Sequence, residues 1–243
     1  MTNLYSQSFK IDKSNHSKVF LSTIQYMSPA DESIPYGGFN ACAYATLCKG
    51  PCLGKTSGRM VTDPAKKARI KRTLLFKWDK KAYGTQLRKE TDAHIRKAKK
   101  LDRIPAGRLN GCTDILWENV RFDGLNMMEL YPEMVWYDYT KWPLEKRPST
   151  PNYHLTFSRS EETTLEQIQY SLDGGRNVAV VFDRVPTEWE GWTVIDGDAD
   201  DMRWLDPVGV IVGLKAKGAA RKDITGFVVR LATKIVDGKI VKL

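Results

Sequence analysis

The chain has 243 residues, 42% of them hydrophobic, and a formal net charge of +9 at neutral pH. That length and composition can bury one substantial core, while no run approaches the roughly 18 consecutive apolar residues of a membrane span. With no apolar core in the opening Met1-Thr2-Asn3-Leu4-Tyr5-Ser6 to act as a secretion signal, the sequence predicts a soluble protein of a reducing compartment and excludes a membrane protein.

Residues 18–24 read as a first strand. A Gly/Pro-rich loop follows, bounded here at 25–61, and carries Cys42, Cys48 and Cys52. Thr62-Asp63-Pro64 signals a helix start with Pro64 in its first position. Ile70, Leu74 and Trp78 recur every fourth residue; Leu87, Ile95, Ala98 and Leu101 continue helical spacing after a break near Gly84. Two helices over 62–103 are therefore expected, with their basic residues on the opposite face. From Asp63 to Arg103 there are 15 Lys/Arg against 5 Asp/Glu, which leaves the remainder of the chain near neutral.

Beyond Arg103 strand-like segments recur at 106–111, 134–139, 153–157, 177–182, 192–195 and 209–214, with a helical stretch at 161–172. Near-continuous apolar runs separated by helices predict parallel strands covered on both faces. Connections after Ile195 are too short for full helices. The fold class expected is α/β, an incomplete parallel, TIM-like barrel forming a single domain over 1–243, with its strand-rich core at 104–231. Segments 226–231 and 234–243, with Asp237-Gly238 as a turn, read as a C-terminal hairpin over 226–243.

Cys42, Cys48 and Cys52 fall within eleven residues. Thiolates so crowded repel one another unless a cation sits between them, which points to a metal or an iron–sulfur cluster. Three cysteines leave an open position, as a working cluster requires; a fourth ligand, Cys112, would close the site into a structural one. The spacing C-x5-C-x3-C lacks the paired C-x2-C knuckles usual for zinc. A [4Fe-4S] cluster is thus the first reading and Zn the alternative, with plain buried thiols or a disulfide as the bland explanations.

Polar residues gather just past the strands. Asn110, Asp114 and Glu118 follow one strand and Asp138 and Thr140 another; Ser158 and Lys215 close two more. The carboxyl ends of parallel strands line the ligand crevice in α/β folds. Asn110, Asp114, Asp138 and Ser158 are accordingly expected to share a catalytic pocket. Glu118, Thr140 and Lys215 are expected to bind a cofactor there, and Gly209 and Gly213 to let a ligand approach a buried strand closely. Ser160 before Glu161 has a plain explanation as a helix cap, and Asp200 and Asp201 as a solvated acidic loop. Calcium is rejected for 196–201 because the downstream bidentate Glu is missing.

The cysteine loop, the run Arg108-Leu-Asn-Gly-Cys-Thr-Asp-Ile115 with Trp117-Glu118, and the segments 137–141, 153–158 and 208–213 together resemble phage-encoded proteins of the gene-product-eighty-eight type. The resemblance spans about 18–230. It implies a bacteriophage origin and the host cytoplasm, and it carries no settled mechanism. A looser similarity is to radical S-adenosylmethionine enzymes, which hold a cluster by three cysteines after the first strand of a partial α/β barrel. Their C-x3-C-x2-C is missed here by two residues and by one. That similarity implies S-adenosylmethionine as a cofactor and likens 209–213 to an adenine-contacting strand.

Two functions are expected from these readings. One is an iron–sulfur enzyme that modifies nucleic acid or nucleotides, its backbone contacts supplied by Lys66, Lys67, Arg69 and Lys71. The other is a zinc-stabilised nucleic-acid-binding or host-takeover protein without catalysis. A solvated helix face is the bland reading of the lysines.

Overall fold

The computed structural model describes residues 3–6, 8–147 and 150–242, so the expected hairpin's last residue, Leu243, lies outside the described residues. In chain order the strands are β1 (Tyr5–Ser6), β2 (Phe20–Gln25), β3 (Ile104–Arg108), β4 (Val135–Thr140), β5 (Tyr153–Ser158), β6 (Val178–Phe182), β7 (Glu188–Trp189), β8 (Trp192–Asp196), β9 (Ile211–Lys215), β10 (Thr233–Val236) and β11 (Lys239–Lys242). The helices are α1 (Phe9–Asn15), α2 (Leu53–Thr56), α3 (Asp63–Trp78), α4 (Lys80–Lys100), α5 (Met127–Leu130) and α6 (Leu165–Asp173).

Nine strands form one sheet in the order β1-β2-β3-β4-β5-β6-β9-β8-β7. From β2 through β6 to β9 and β8 every pairing is parallel, and only the short end strands β1 and β7 run antiparallel. The expected α/β class with a mostly parallel sheet is what the structure has; among the described residues no pairing joins the two ends of the sheet. The strand order departs from chain order after β6. The chain turns back through the β7–β8 hairpin, so β9 inserts beside β6 and pushes β8 outward. Because β2 to β6, β8 and β9 run parallel, the segments that follow these strands all emerge at one rim.

α4 covers one side of β2 and β3 with Tyr83 and Leu87, which join Trp117, Phe122, Met127, Met134 and Trp136 in the larger core cluster. A second cluster sets Ile168 and Leu172 of α6 against Val178, Val180, Phe182 and Ile211. The expected break at Gly84 is absent. The helices separate at Asp79, whose carboxylate caps α4 by accepting the Ala82 N–H at 2.9 Å. Gly84 lies within α4, and a Cβ there would stand 2.2 Å from the Phe122 ring, so close packing rather than a break accounts for the glycine.

The apolar stripe of α3 is also displaced from expectation. Ile70 is buried, Leu74 is half-buried and Trp78 is 69% exposed; the inward face carries Arg69, Arg72 and Thr73. Arg72 is accommodated there because it donates to Asn3 O, Tyr26 O and Ser6 Oγ. The terminal hairpin lies wholly within 233–242, with Asp237 and Gly238 at positive φ in its turn. Segment 226–231 is no partner strand; Val229 bridges Phe182 at the main sheet instead. No described helix is long and apolar enough to cross a membrane.

Candidate functional site

The loop after β3 is stitched to the cysteine loop after β2. Gly111 N donates to Gln25 O at 3.0 Å, Asp114 N to Ala41 O at 2.8 Å, and the Cys112 thiol to Met27 O at 3.0 Å. Cys112 packs so tightly on Gly54 that a Cβ at Gly54 would stand 2.6 Å from the Cys112 Cβ. The residue sixty positions downstream thus joins the other cysteines at one rim.

All four cysteines are half-buried free thiols. Burial pushes the Cys42 thiol up to about 12, a donated N–H from Ala30 offsets part of this, and Asp114, Cys52 and Cys48 push it further upward. Burial raises Cys52 too, with Cys48 acting in the same direction, and Cys112 stands well above its ordinary value through burial, Cys52 and Cys42. The four sulfurs therefore share one electrostatic neighbourhood. Among the described residues, however, no three His, Cys, Asp or Glu side chains stand close enough to hold a metal ion. The donor chemistry fits a thiophilic metal or cluster, since a cation would relieve the mutual repulsion; the spacing is not that of a closed ligand set.

Behind the thiols lies a continuous network of buried charge. Asp114 accepts the Lys141 N–H at 2.7 Å and Arg147 Nη1 at 3.2 Å. Arg147 grips Glu118 through two bonds of 2.7 and 2.8 Å and also reaches the Tyr153 hydroxyl. Tyr153 donates to Asp138 at 2.9 Å, and Asp138 takes the N–H groups of Leu109 and Asn110 besides facing Arg108 at 3.6 Å. Arg108 then pairs with Asp201 at 2.7 Å. Burial raises Asp138 to about 6 even though Arg108, Tyr153 and Asn110 all favour its ionised form. Burial likewise lifts Asp114 above its usual range.

Within this arrangement the expected site residues separate into two groups. Asp114 is bonded to the cysteine loop through Ala41 O, and Thr140 and Ser158 flank Lys141 beside it. Thr140 Oγ1 accepts Trp142 N–H at 3.0 Å, and Ser158 Oγ accepts Lys141 Nζ at 3.2 Å. Asn110, Asp138 and Glu118 face inward instead. The Asn110 amide is used up by Thr113, Ile115 and Trp117. Glu118 has both oxygens clasped by Arg147, so the structure gives it an ion-pairing role rather than an open binding position. Lys215 is exposed, and its N–H donates to Asp198 at 3.0 Å.

Other expectations move further. Gly209 precedes β9 and so lies at the amino end of the strand, away from the rim. Gly213 is enclosed by Val185 and Val194, leaving its backbone no ligand-sized gap. Arg69 is 1% exposed and pairs with Glu32 at 2.8 Å, which removes it from any phosphate-binding face; Lys66, Lys67 and Lys71 are exposed. The α6 cap is Thr164 with Gln167, while Ser160 N–H donates to Thr163 Oγ1. Asp201 is buried against Arg108 rather than solvated.

Sequence reasoning missed Lys141, Arg108, Arg147, Tyr153 and Asp201 as members of this site. Lys141 and Arg108 carried a usable signal, a cation at the carboxyl end of a strand. Burial pulls the Lys141 ammonium below its ordinary value, while Cys48, Asp114 and Glu161 pull it back up. Nothing local distinguishes Arg147.

Fold and site together define a mixed α/β protein with clustered thiols at its strand ends above a buried charge network. The chain belongs to the Gene product 88 family, a family of phage gene products, which it matches over residues 5–231. No curated protein and no solved structure matches it. The likeness to radical S-adenosylmethionine enzymes gains no support from these comparisons.

Proposed function

We propose that this phage gene product is a metal-cluster protein acting in nucleic-acid or nucleotide modification in the host cytoplasm, with Cys42, Cys48 and Cys52 holding a [4Fe-4S] cluster. The observation that supports the reading is the meeting of the two cysteine-bearing loops at one rim, where Asp114 N–H donates to Ala41 O, the Cys42 thiol faces Cys112 O at 3.7 Å and Asp114 holds the Lys141 N–H. Loading would draw the sulfurs together, because metal binding and loop ordering are coupled. A cluster held by three cysteines offers one open iron to a cofactor or substrate, S-adenosylmethionine being the finest form of this reading.

The chain's own groups define what surrounds that position. Lys141 Nζ is held by Ser158 O, Ser158 Oγ and Arg159 O, so it acts through its positive field and favours thiolates, a cluster or a phosphate nearby. Asp114 fixes the Lys141 backbone, and Arg147 fixes Asp114. Exposed Lys66, Lys67 and Lys71 supply contacts to a nucleic-acid backbone.

Anaerobic purification followed by iron, sulfide and zinc analysis tests the proposal. Iron and sulfide with broad visible absorption support it; a protein devoid of both iron and zinc after anaerobic expression overturns it. One observation favours a second reading. Cys112 abuts Gly54 next to Cys52, as a fourth ligand would. A colourless protein with stoichiometric zinc would make this a closed structural site in a nucleic-acid-binding or host-takeover protein.

A further inference from the structure

We infer that the exposed face of α3, together with the turn at Ile34–Tyr36, is a docking surface for single-stranded nucleic acid, with Trp78 as a base-stacking platform. This rests on the nucleic-acid part of the proposed function and deepens it.

Trp78 is 69% exposed and Tyr36 53%, an unusual outlay of aromatic surface to water within one small area. The two belong to one patch, since the Trp78 indole N–H donates to Gly37 O at 3.2 Å. Lys77 lies 4.8 Å over the Trp78 ring and donates to Gly37 O and Gly38 O. The indole is thus held in place from two sides before any ligand arrives, which lowers the ordering cost of binding.

Lys67, Lys71, Leu74 and Trp78 follow one another at steps of four, three and four residues, so they form a single stripe along α3 of roughly 16 Å. Lys67 and Lys71 are exposed. Beside the helix, a groove of about 480 Å³ is lined by Ile34, Pro35, Tyr36, Lys55 and Lys66. Its two acids do not oppose an anion fully: Glu32 is paired with buried Arg69, and Asp31 lies 3.9 Å from Lys55. Cations in a line beside fixed aromatic faces suit a strand whose bases are free to stack. A duplex hides those base faces, so it could use the lysines only.

The test measures binding of a labelled oligothymidine of about 12 nucleotides, and of a duplex of equal length, by fluorescence anisotropy. Melting curves accompany each variant. Trp78→Ala is expected to weaken single-strand binding roughly tenfold to a hundredfold, while Trp78→Phe retains most of it and duplex binding stays unchanged. Single-strand binding that is indifferent to Trp78→Ala and Tyr36→Ala overturns this inference and leaves the nucleic-acid reading standing. Duplex preference overturns it in the same way. Failure to bind either oligonucleotide sinks both. Trp78-dependent binding to vesicles of anionic lipid that the oligonucleotide does not displace would assign the patch to a membrane surface and overturn the inference.

Discussion

Arg147 clasps Glu118: its Nε and Nη2 lie 2.7 and 2.8 Å from the two carboxylate oxygens, and the two side chains are 0% and 5% exposed. Burial alone would lower the Arg147 guanidinium, but Tyr153, Glu118 and Asp114 more than offset it and hold it above its ordinary value. Removing one partner strands a buried charge. Arg147→Met should therefore cost about 3–5 kcal/mol of stability, read from denaturant unfolding. Joining it with Glu118→Leu should recover part of that loss. A cost below about 1 kcal/mol for Arg147→Met would mean that water reaches the pair and that it contributes as weakly as a surface pair.

Asp138 gives the stability a pH dependence whose sign follows from its burial. Its folded pKa of about 6 lies above the ordinary aspartate range, so the folded state binds more protons than the unfolded chain. Its contribution is thus fully present below about pH 4 and is lost as pH rises through about 6, by roughly 3 kcal/mol if the full shift is expressed. Asp138→Asn removes this titration. The variant should also be less stable throughout, because its amide N–H groups would face the donors Leu109 N, Asn110 N and Tyr153 OH. The gap between wild type and Asp138→Asn should narrow between pH 4 and 6 in melting curves. A widening gap would show that Arg108 dominates and holds the carboxylate ionised.

The strands were legible because their apolar runs are continuous and their flanks carry turn residues; each expected core strand lies within a few positions of an observed one. The common rim followed from parallel order, and with it the meeting of Asp114 and the cysteine loop. The buried arginines were not legible. Nothing adjacent to Arg69 announces Glu32 as its partner, and Arg108 finds Asp201 across 93 positions. An i, i+4, i+8 series such as Ile70, Leu74 and Trp78 also drifts around a helix with 3.6 residues per turn. Buried Arg69 and Arg72 could then occupy the inward face while Trp78 moved to the surface. Short elements such as α1 and the two-residue β7 gave no periodic signal long enough to read.

The basic segment should separate into structural and binding cations. Lys66→Glu, Lys67→Glu and Lys71→Glu, combined, change only exposed positions and should leave melting nearly unchanged while abolishing nucleic-acid binding. Wild-type affinity should fall roughly a hundredfold or more between about 50 and about 200 mM salt if about five phosphates are contacted. Arg69→Glu should behave differently: it would set a second buried carboxylate against Glu32 and unfold the protein. Binding that is flat with salt, or intact in the triple variant, would remove these lysines from the interface.

The cysteines offer the sharpest division between an open and a closed site. In the metal-free protein, burial and mutual repulsion keep Cys42 and Cys52 protonated at neutral pH. Both should therefore react with iodoacetamide more slowly than an unperturbed thiol, Cys42 about a hundredfold or more, as read by mass spectrometry. Loading with metal must deprotonate the ligands, so uptake should release protons and weaken as pH falls. Cys42→Ala, Cys48→Ala and Cys52→Ala should each strip the metal from anaerobically purified protein, because each removes one third of the donors in the loop. Cys112→Ala should leave most of it bound: its thiol already donates to Met27 O at 3.0 Å and it belongs to a different loop. Metal content depleted equally in all four variants would make Cys112 a ligand, close the site, and replace the open-cluster mechanism with a structural centre.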